Sequence, residues 1–279
     1  MTPSTRVGSE VASSLEEAQR RLAVVLRECA PAVIAVSGGV DSLTLAEMVI
    51  RAIGDGAILV HATSPAVPDD ATRRVKAFAA ERSARLTVMD AGEFSDEEYR
   101  RNPVNRCYFC KSHLYDAIRA RVPGVGILSG ANWDDLGDYR PGLRAAEERG
   151  VRHPLVEAGL TKARVRELAR SCGLGDIAEL PSAPCLSSRV ETGIRIEAPA
   201  LGLIDAVESE IRAAIAPAAV RCRVRHHGLV VELDEASLAS LSDEALADWS
   251  RRVEAHASRA GMIGRVTFAP YRQGSAFLR

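Results

Sequence analysis

Three groups of residues carry side chains and spacings that chemistry can use. The first is Ser37-Gly38-Gly39-Val40-Asp41-Ser42, directly after the apolar run from Ala32 to Val36. Without Cβ atoms, Gly38 and Gly39 let successive backbone N–H groups turn toward one point and let a ligand approach closely. A helix beginning there adds the positive end of its dipole, so phosphate is the expected guest. The loop has neither the Gly-Lys-Ser of a Walker loop nor the Gly-x-Gly-x-x-Gly of a dinucleotide fold. The second group is Cys107-Tyr108-Phe109-Cys110, a spacing that fits a redox pair, half of a metal site or coincidence. The third is Cys185, with Arg189 four residues later.

The cysteines narrow one another's roles. There is no second Cys-x-x-Cys, which excludes a four-cysteine zinc site, although Cys107, Cys110 and His113 with Cys185 would make a zinc set. Thioredoxin-like use is less natural, because the pair does not follow a first strand. With Cys185 as a third thiolate, the set Cys107, Cys110 and Cys185 suggests a [4Fe-4S] cluster with one open iron, able to bind an exogenous sulfur or a substrate. Arg189 is placed either to lower the Cys185 thiol pKa or to bind a substrate phosphate. Cys29, Cys172 and Cys222 fall in helix or strand patterns and read as packing residues.

The elements that must position these groups follow from periodicity. Ala32 to Ser37 carries small and β-branched apolar side chains suited to a strand buried on both faces. A helix with Leu43, Ala46, Val49, Ile50 and Ile53 on its stripe then runs to Gly54, and Ala57 to Thr63 is the next strand. A helix from about Asp69 to Ser83, a strand near Arg85 to Met89, and a strand Val125 to Ser129 after a long helical segment repeat the unit. Leu15 to Cys29 forms a helix ahead of them. Such alternation predicts an α/β fold with a doubly wound parallel sheet, whose ligands sit beyond the carboxyl ends of the strands. Ser64-Pro65-Ala66-Val67-Pro68 is therefore either an adenine or ribose contact or a plain connection. In the loop Ser129 to Gly142, clustered carboxylates would hold Mg²⁺ or simply be solvated. Thr161 is a good N-cap for a helix whose Lys162, Arg164 and Arg166 are free to face water.

Prolines between Pro181 and Pro184 bar a helix interior or central strand, so residues 181–189 form a shaped loop presenting Cys185 and Arg189. This sets the expected boundary: a nucleotide domain over 1–182 and a smaller α+β domain over 183–279. The latter has a helix from Pro199, a hairpin of Arg221–Arg225 and Leu229–Leu233, a helix to about Ala260 and a strand Arg265–Phe268.

Composition fits a cytoplasmic protein. A net charge of −1 and a pI near 6.6 lack the basic bias of a protein that holds nucleic acid through phosphates. No apolar run is long enough to span a membrane, and no secretory signal opens the chain. Six cysteines in a reducing compartment argue for metal or sulfur chemistry rather than disulfides.

The Ser-Gly-Gly-Val-Asp-Ser loop resembles the pyrophosphate-binding loop of the N-type ATP pyrophosphatases, the PP-loop superfamily, which split ATP into AMP and pyrophosphate. Together with Asn102-Pro103 through Cys107 and Cys110, Asp138-Tyr139-Arg140-Pro141-Gly142-Leu143, Ala183 through Arg189 and Val220-Arg221-Cys222-Arg223, it resembles the LarE family over nearly the whole chain. These are ATP-dependent sulfur transferases that make the nickel-pincer nucleotide cofactor of lactate racemase. The resemblance implies that a carboxylate of pyridinium-3,5-biscarboxylic acid mononucleotide is adenylated with ATP and Mg²⁺, and that a sulfur nucleophile makes the thiocarboxylate. It implies ATP contacts at Ser37, Gly38, Gly39, Asp41 and Ser42, and a grip on the substrate phosphate by Arg223 and Arg272. The Cys-x-x-Cys places the chain with the three-cysteine iron-sulfur kind rather than the sacrificial kind, in which the cysteine at Cys185 gives up its own sulfur. A homo-oligomer is also implied, a hexamer being the candidate form, with no stable nucleic acid or membrane partner. The rival expectations are a tRNA thiolase of the same superfamily and a non-catalytic nucleotide- or cluster-carrying protein.

Overall fold

The computed structural model describes residues 10–137 and 140–276. The chain forms two compact units that interleave in sequence. Residues 1–64, 69–95 and 107–183 make the first, and residues 65–68, 96–106 and 184–279 the second. No single cut near residue 182 separates them, because two short segments of the amino-terminal half pack with the carboxy-terminal residues.

The first unit is an α/β layer structure. Strands β1 (Ala32–Ala35), β2 (Ala57–Thr63), β3 (Arg85–Asp90) and β4 (Gly126–Ser129) form one sheet in the order β3-β2-β1-β4, and every neighbouring pair is parallel. Helices cover both faces. Ala32 and Ile34 of β1 and Leu59 of β2 point into a core shared with α1 (Leu15–Glu28), α2 (Val40–Ile53), α3 (Asp69–Glu81) and α6 (Lys162–Ser171). On the opposite face, Val33 and Val60 pack against Tyr115 and Ile118 of α4 (Arg106–Arg121) and Ala146 of α5 (Pro141–Glu148). Along β1 and β2 the alternation of side chains buries residues on both faces, which is why these two strands read as largely apolar runs, whereas β3, at the edge of the sheet, has no buried residue.

The strand expected over Ala32 to Ser37 leaves the sheet early. Val36 N–H still donates to the Val60 carbonyl at 2.9 Å, but Ser37 N–H donates to Ser42 Oγ at 3.2 Å. The side chain of Ser42 replaces the sheet as partner and bends the chain into the glycine loop.

The second unit is a three-stranded mixed sheet with helices on it. β5 (Val220–Arg225) and β6 (Gly228–Leu233) pair antiparallel through the His226-His227 turn, and β7 (Val266–Pro270) adds in parallel beside β6. α7 (Ala198–Ile215), with Pro199 in its first turn, packs Leu201, Ile204, Val207 and Ile211 inward, and α8 (Asp243–Arg259) buries Trp249, Val253 and Ala257. Among the described residues no helix is long and apolar enough to cross a membrane.

Candidate active site

The glycine loop lies at the carboxyl end of β1 in the first unit. Gly38 adopts φ +84°, a left-handed conformation that favours glycine, and a Cβ there would lie 2.8 Å from the Ala71 carbonyl oxygen of α3. Gly39 is the N-cap of α2 and brings no side chain to cap it. Among the described residues, the N–H groups of Val40, Asp41 and Ser42 meet no acceptor, so the start of a fourteen-residue helix stays open to an anion. The loop itself is braced from within: Ser42 Oγ donates to the Gly39 carbonyl at 3.0 Å and stands 3.2 Å from Ser37 Oγ.

Residues from four other segments hold this loop. Asp41 forms an ion pair with Lys162 Nζ, at the start of α6, and accepts from Asn132 Nδ2 at 3.3 Å. Gly130, just beyond β4, comes so close that a Cβ on it would stand 2.8 Å from both Cα and N of Ser42. Arg74 of α3 donates through Nη1 to the Gly38 carbonyl at 2.8 Å. His61 of β2 is buried and bridges the Val36 carbonyl at 2.8 Å and Thr72 Oγ1 at 3.0 Å. A carbonyl only accepts, so Nδ1 carries the proton and Nε2 accepts from the threonine hydroxyl. Burial pushes the His61 pKa down, which keeps that neutral tautomer.

In the acidic loop after β4, the two described aspartates have protein partners. Asp134 accepts from the Lys162 backbone N–H at 2.9 Å, and Asp135 accepts from Asn132 N–H at 3.0 Å while pairing with Arg140 at 2.7 Å. These two carboxylates, expected either to hold Mg²⁺ or to be solvated, fasten the loop and the start of α6. Asp138 and Tyr139 of the Asp-Tyr-Arg-Pro-Gly motif lie outside the described residues. Lys162, Arg164 and Arg166, expected to be free to face water, all have partners: Lys162 takes Asp41, Arg164 pairs with Glu167 at 2.5 Å, and Arg166 donates to the carbonyls of Ala178 and Leu180.

Cys107 and Cys110 are half-buried and outside any disulfide, in the first turns of α4, three residues apart and so on neighbouring positions of one helix face. Gly142 at the start of α5 fits against them: a Cβ there would stand 3.5 Å from the Cys107 carbonyl oxygen and 3.9 Å from its Cβ. Among the described residues, neither unit gathers three or more His, Cys, Asp or Glu side chains into a metal-holding group. Cys107, Cys110 and His113, expected together with Cys185 as a zinc set, form no such group within the first unit among the described residues.

Cys185 belongs to the second unit, where it is exposed while the four residues after it are buried. The burial has identifiable anchors. Leu186 N–H donates to the Ala66 carbonyl at 2.8 Å, and Ser187 Oγ meets Tyr99 Oη at 2.7 Å. Asn102, fully buried with φ +56°, donates from Nδ2 to the carbonyls of Glu191 at 2.9 Å and Ile194 at 3.0 Å. This is why segments 65–68 and 96–106 travel with the carboxy-terminal unit. Segment 65–68, expected as an adenine or ribose contact or a connection, supplies a backbone anchor to the Cys185 loop.

The arginines differ in what they leave available. Arg189 is buried; it pairs with Glu208 and donates through Nη1 to the carbonyls of Pro184 at 2.6 Å and Cys185 at 3.2 Å. Expected either to lower the Cys185 thiol pKa or to bind a substrate phosphate, it holds the loop that presents the thiol. Arg223 is likewise buried, paired with Glu232 at 2.9 Å and donating to the Ser188 carbonyl at 3.0 Å. Arg272 is exposed, and its carbonyl accepts from Arg223 Nη2 at 3.4 Å.

No protein-family model matches the chain. It is 36% identical over 201 residues to the uncharacterized protein slr1717 of Synechocystis sp., covering 71% of this chain and 75% of that one. It is also 29% identical over 232 residues to the pyridinium-3,5-bisthiocarboxylic acid mononucleotide synthase of Lactiplantibacillus plantarum, covering 81% and 83%. The chain belongs to the LarE-like family. A glutamine-hydrolyzing GMP synthase component of Methanoculleus marisnigri is a more partial relative, 27% identical over 160 residues, or 51% of this chain and 50% of that one. This LarE-like chain accordingly carries a fold of the PP-loop kind.

Sequence reasoning missed His61, Arg74, Gly130, Lys162, Asn102 and Glu208 as parts of these sites. Gly130 and Lys162 stood in segments singled out for their composition, and Asn102 in the motif preceding the cysteines. His61, Arg74 and Glu208 had no local signal, since each acts through a partner distant in sequence.

Proposed function

We propose that this LarE-like chain is an ATP-dependent sulfur transferase acting on pyridinium-3,5-biscarboxylic acid mononucleotide. The observation that carries the reading is the similarity, over most of both chains, to a protein named as the synthase of the bisthiocarboxylic counterpart. The open α2 terminus supports ATP as co-substrate. A substrate carboxylate oxygen attacks the α-phosphorus of ATP, the bond to the β-phosphate oxygen breaks, and pyrophosphate leaves. The carboxylate, whose own leaving group would be oxide, becomes an acyl adenylate from which AMP departs readily. The N–H groups of Val40 to Ser42 would stabilise the charge developing on pyrophosphate, assisted by Mg²⁺.

A thiolate or sulfide then adds to the acyl carbon and expels AMP. Cys185 is the thiol set out for this role, exposed directly before four buried residues of its loop. In the finer form of the reading, Cys107, Cys110 and Cys185 are the thiolate donors of a [4Fe-4S] cluster. Such a cluster supplies an open iron on which external sulfide can be held for repeated use. The simpler form transfers the Cys185 sulfur itself, breaking its Cβ–S bond by loss of the α-proton and leaving dehydroalanine. The working protein is a cytoplasmic homo-oligomer taking a small nucleotide rather than tRNA.

The test is anaerobic incubation of the full-length protein with ATP, Mg²⁺, sulfide and the mononucleotide, with iron and sulfide analysis and mass spectrometry of product and protein. Thiocarboxylate with pyrophosphate release supports the reaction. Repeated turnover with bound iron and intact Cys185 supports the cluster, whereas one turnover with dehydroalanine at 185 selects the sacrificial form. Absence of thiocarboxylate overturns the proposal.

A further inference from the structure

The start of α3 presses on the glycine loop. Its Ala71 carbonyl leaves no room for a side chain at Gly38, and its Thr72 is tied through His61 to the last carbonyl before the loop, that of Val36. The next side chain on that surface is Arg74. It spends one N–H on the Gly38 carbonyl, at 2.8 Å, which fixes the guanidinium beside the loop. Four further N–H groups of the fork remain, and among the described residues no carboxylate hydrogen-bonds any of them. The nearest acid, Asp70, is paired with Arg73. Arg74 is also half-buried, and burial lowers its pKa with only partial relief from Asp70. A cation that is partly dehydrated, held by a neutral carbonyl and served only by a carboxylate already paired with Arg73 favours an anion at the same place.

We propose that Arg74 is a phosphate-binding residue, contacting the β- and γ-phosphates of ATP seated on the glycine loop. This rests on the use of ATP proposed above. The division of labour is electrostatic: the α2 terminus offers backbone N–H groups, and Arg74 offers a planar fork able to engage two phosphate oxygens at once. Because those phosphates leave as pyrophosphate, the contact belongs to the leaving group and not to the adenylate.

Calorimetric titration of the full-length protein with ATP, AMP and inorganic pyrophosphate, each with Mg²⁺, separates the outcomes. Arg74→Gln weakens ATP and pyrophosphate binding by about tenfold or more, the scale of one charge-assisted contact, and leaves AMP binding within about twofold. Arg74→Lys restores part of the loss, since it keeps the charge but not the fork. Equal weakening of AMP and ATP would show that Arg74 only props the loop, and unchanged ATP affinity in Arg74→Gln would show that it does not meet the phosphates; either overturns the proposal. A wild-type protein that binds none of the three ligands overturns the ATP reading and this one together.

Discussion

Arg189 and Glu208 face each other as a buried two-point ion pair, Nε to Oε1 and Nη2 to Oε2, each at 2.9 Å, with side-chain exposures of 2% and 0%. Glu208 also accepts from Arg212 Nη2 at 2.9 Å and from the Cys222 backbone N–H at 3.0 Å. The remaining arm of Arg189 reaches the carbonyls of Pro184 and Cys185. The loop carrying the thiol is thus bolted to α7 and β5 through one guanidinium, and the exposed cysteine stands on a rigid base.

Removing the acid alone therefore strands a buried cation. Glu208→Ala is expected to lower unfolding free energy by about 3–5 kcal/mol, the scale for breaking a buried pair from one side. The double variant Arg189→Met/Glu208→Leu should recover a large part of that loss, because no unpaired charge remains. Urea unfolding of the three proteins checks this. A Glu208→Ala midpoint equal to wild type would mean that the pair does not hold the loop.

Gly130 offers a steric test of the glycine loop. A Cβ there meets Ser42 backbone atoms at 2.8 Å and the Asp41 carbonyl carbon at 3.0 Å, so Gly130→Ala must push α2 and the loop away from β4. Pyrophosphate release with ATP and the mononucleotide should fall by about 10²-fold, as expected for displacement of a positioned reacting group. Gly126→Ala, at the start of β4 with nothing within 4 Å of its Cβ, serves as the control. Equal rates in the two variants would refute the coupling of Gly130 to the loop.

The sheet is legible in the sequence because its signal is local. The bounds of Ala57–Thr63 follow from the apolar run alone, since side chains buried on both faces leave it continuous. β1 ends two residues early for a reason that periodicity cannot hold: a hydroxyl five residues on captures the Ser37 N–H. The interleaving of the units is not legible either. It depends on polar contacts such as Tyr99 to Ser187 and Asn102 to Glu191, which join residues nearly ninety positions apart and leave no pattern in either segment. Charges behave the same way. Arg189 stands out for its nearness to Cys185 in sequence, yet its function is set by Glu208 on another helix.

One buried and one half-buried histidine, His61 and His153, give the protein a defined acid sensitivity. Burial holds His61 and His153 below the usual 6.5, so the unfolded chain takes up these protons at higher pH than the folded one. Their contribution is complete above the usual value and is lost as pH falls below it, at up to about 1.4 kcal/mol per pH unit for each ring. Urea midpoints between pH 8 and pH 5.5 should therefore decline, and more gently in His61→Gln/His153→Gln. An unchanged slope in that variant would assign the decline to other groups.

The ion pair of Lys162 with Asp41 joins the start of α6 to the first turn of α2, beside the glycine loop. Both side chains are partly accessible, at 34% and 22%, and Asn132 holds the other oxygen of Asp41 at 3.3 Å, so the carboxylate keeps a partner if the lysine moves. Lys162→Met should cost little stability, on the order of 0–1 kcal/mol for a pair this open to solvent. If the ammonium turns to the departing pyrophosphate, the same change lowers the rate of pyrophosphate release by about 10²–10³-fold, as for loss of one positioned donor in a site that stabilises developing charge. Measuring both quantities on one preparation separates the two roles: a lowered unfolding midpoint with an unchanged rate would leave Lys162 as a brace for Asp41 and nothing more.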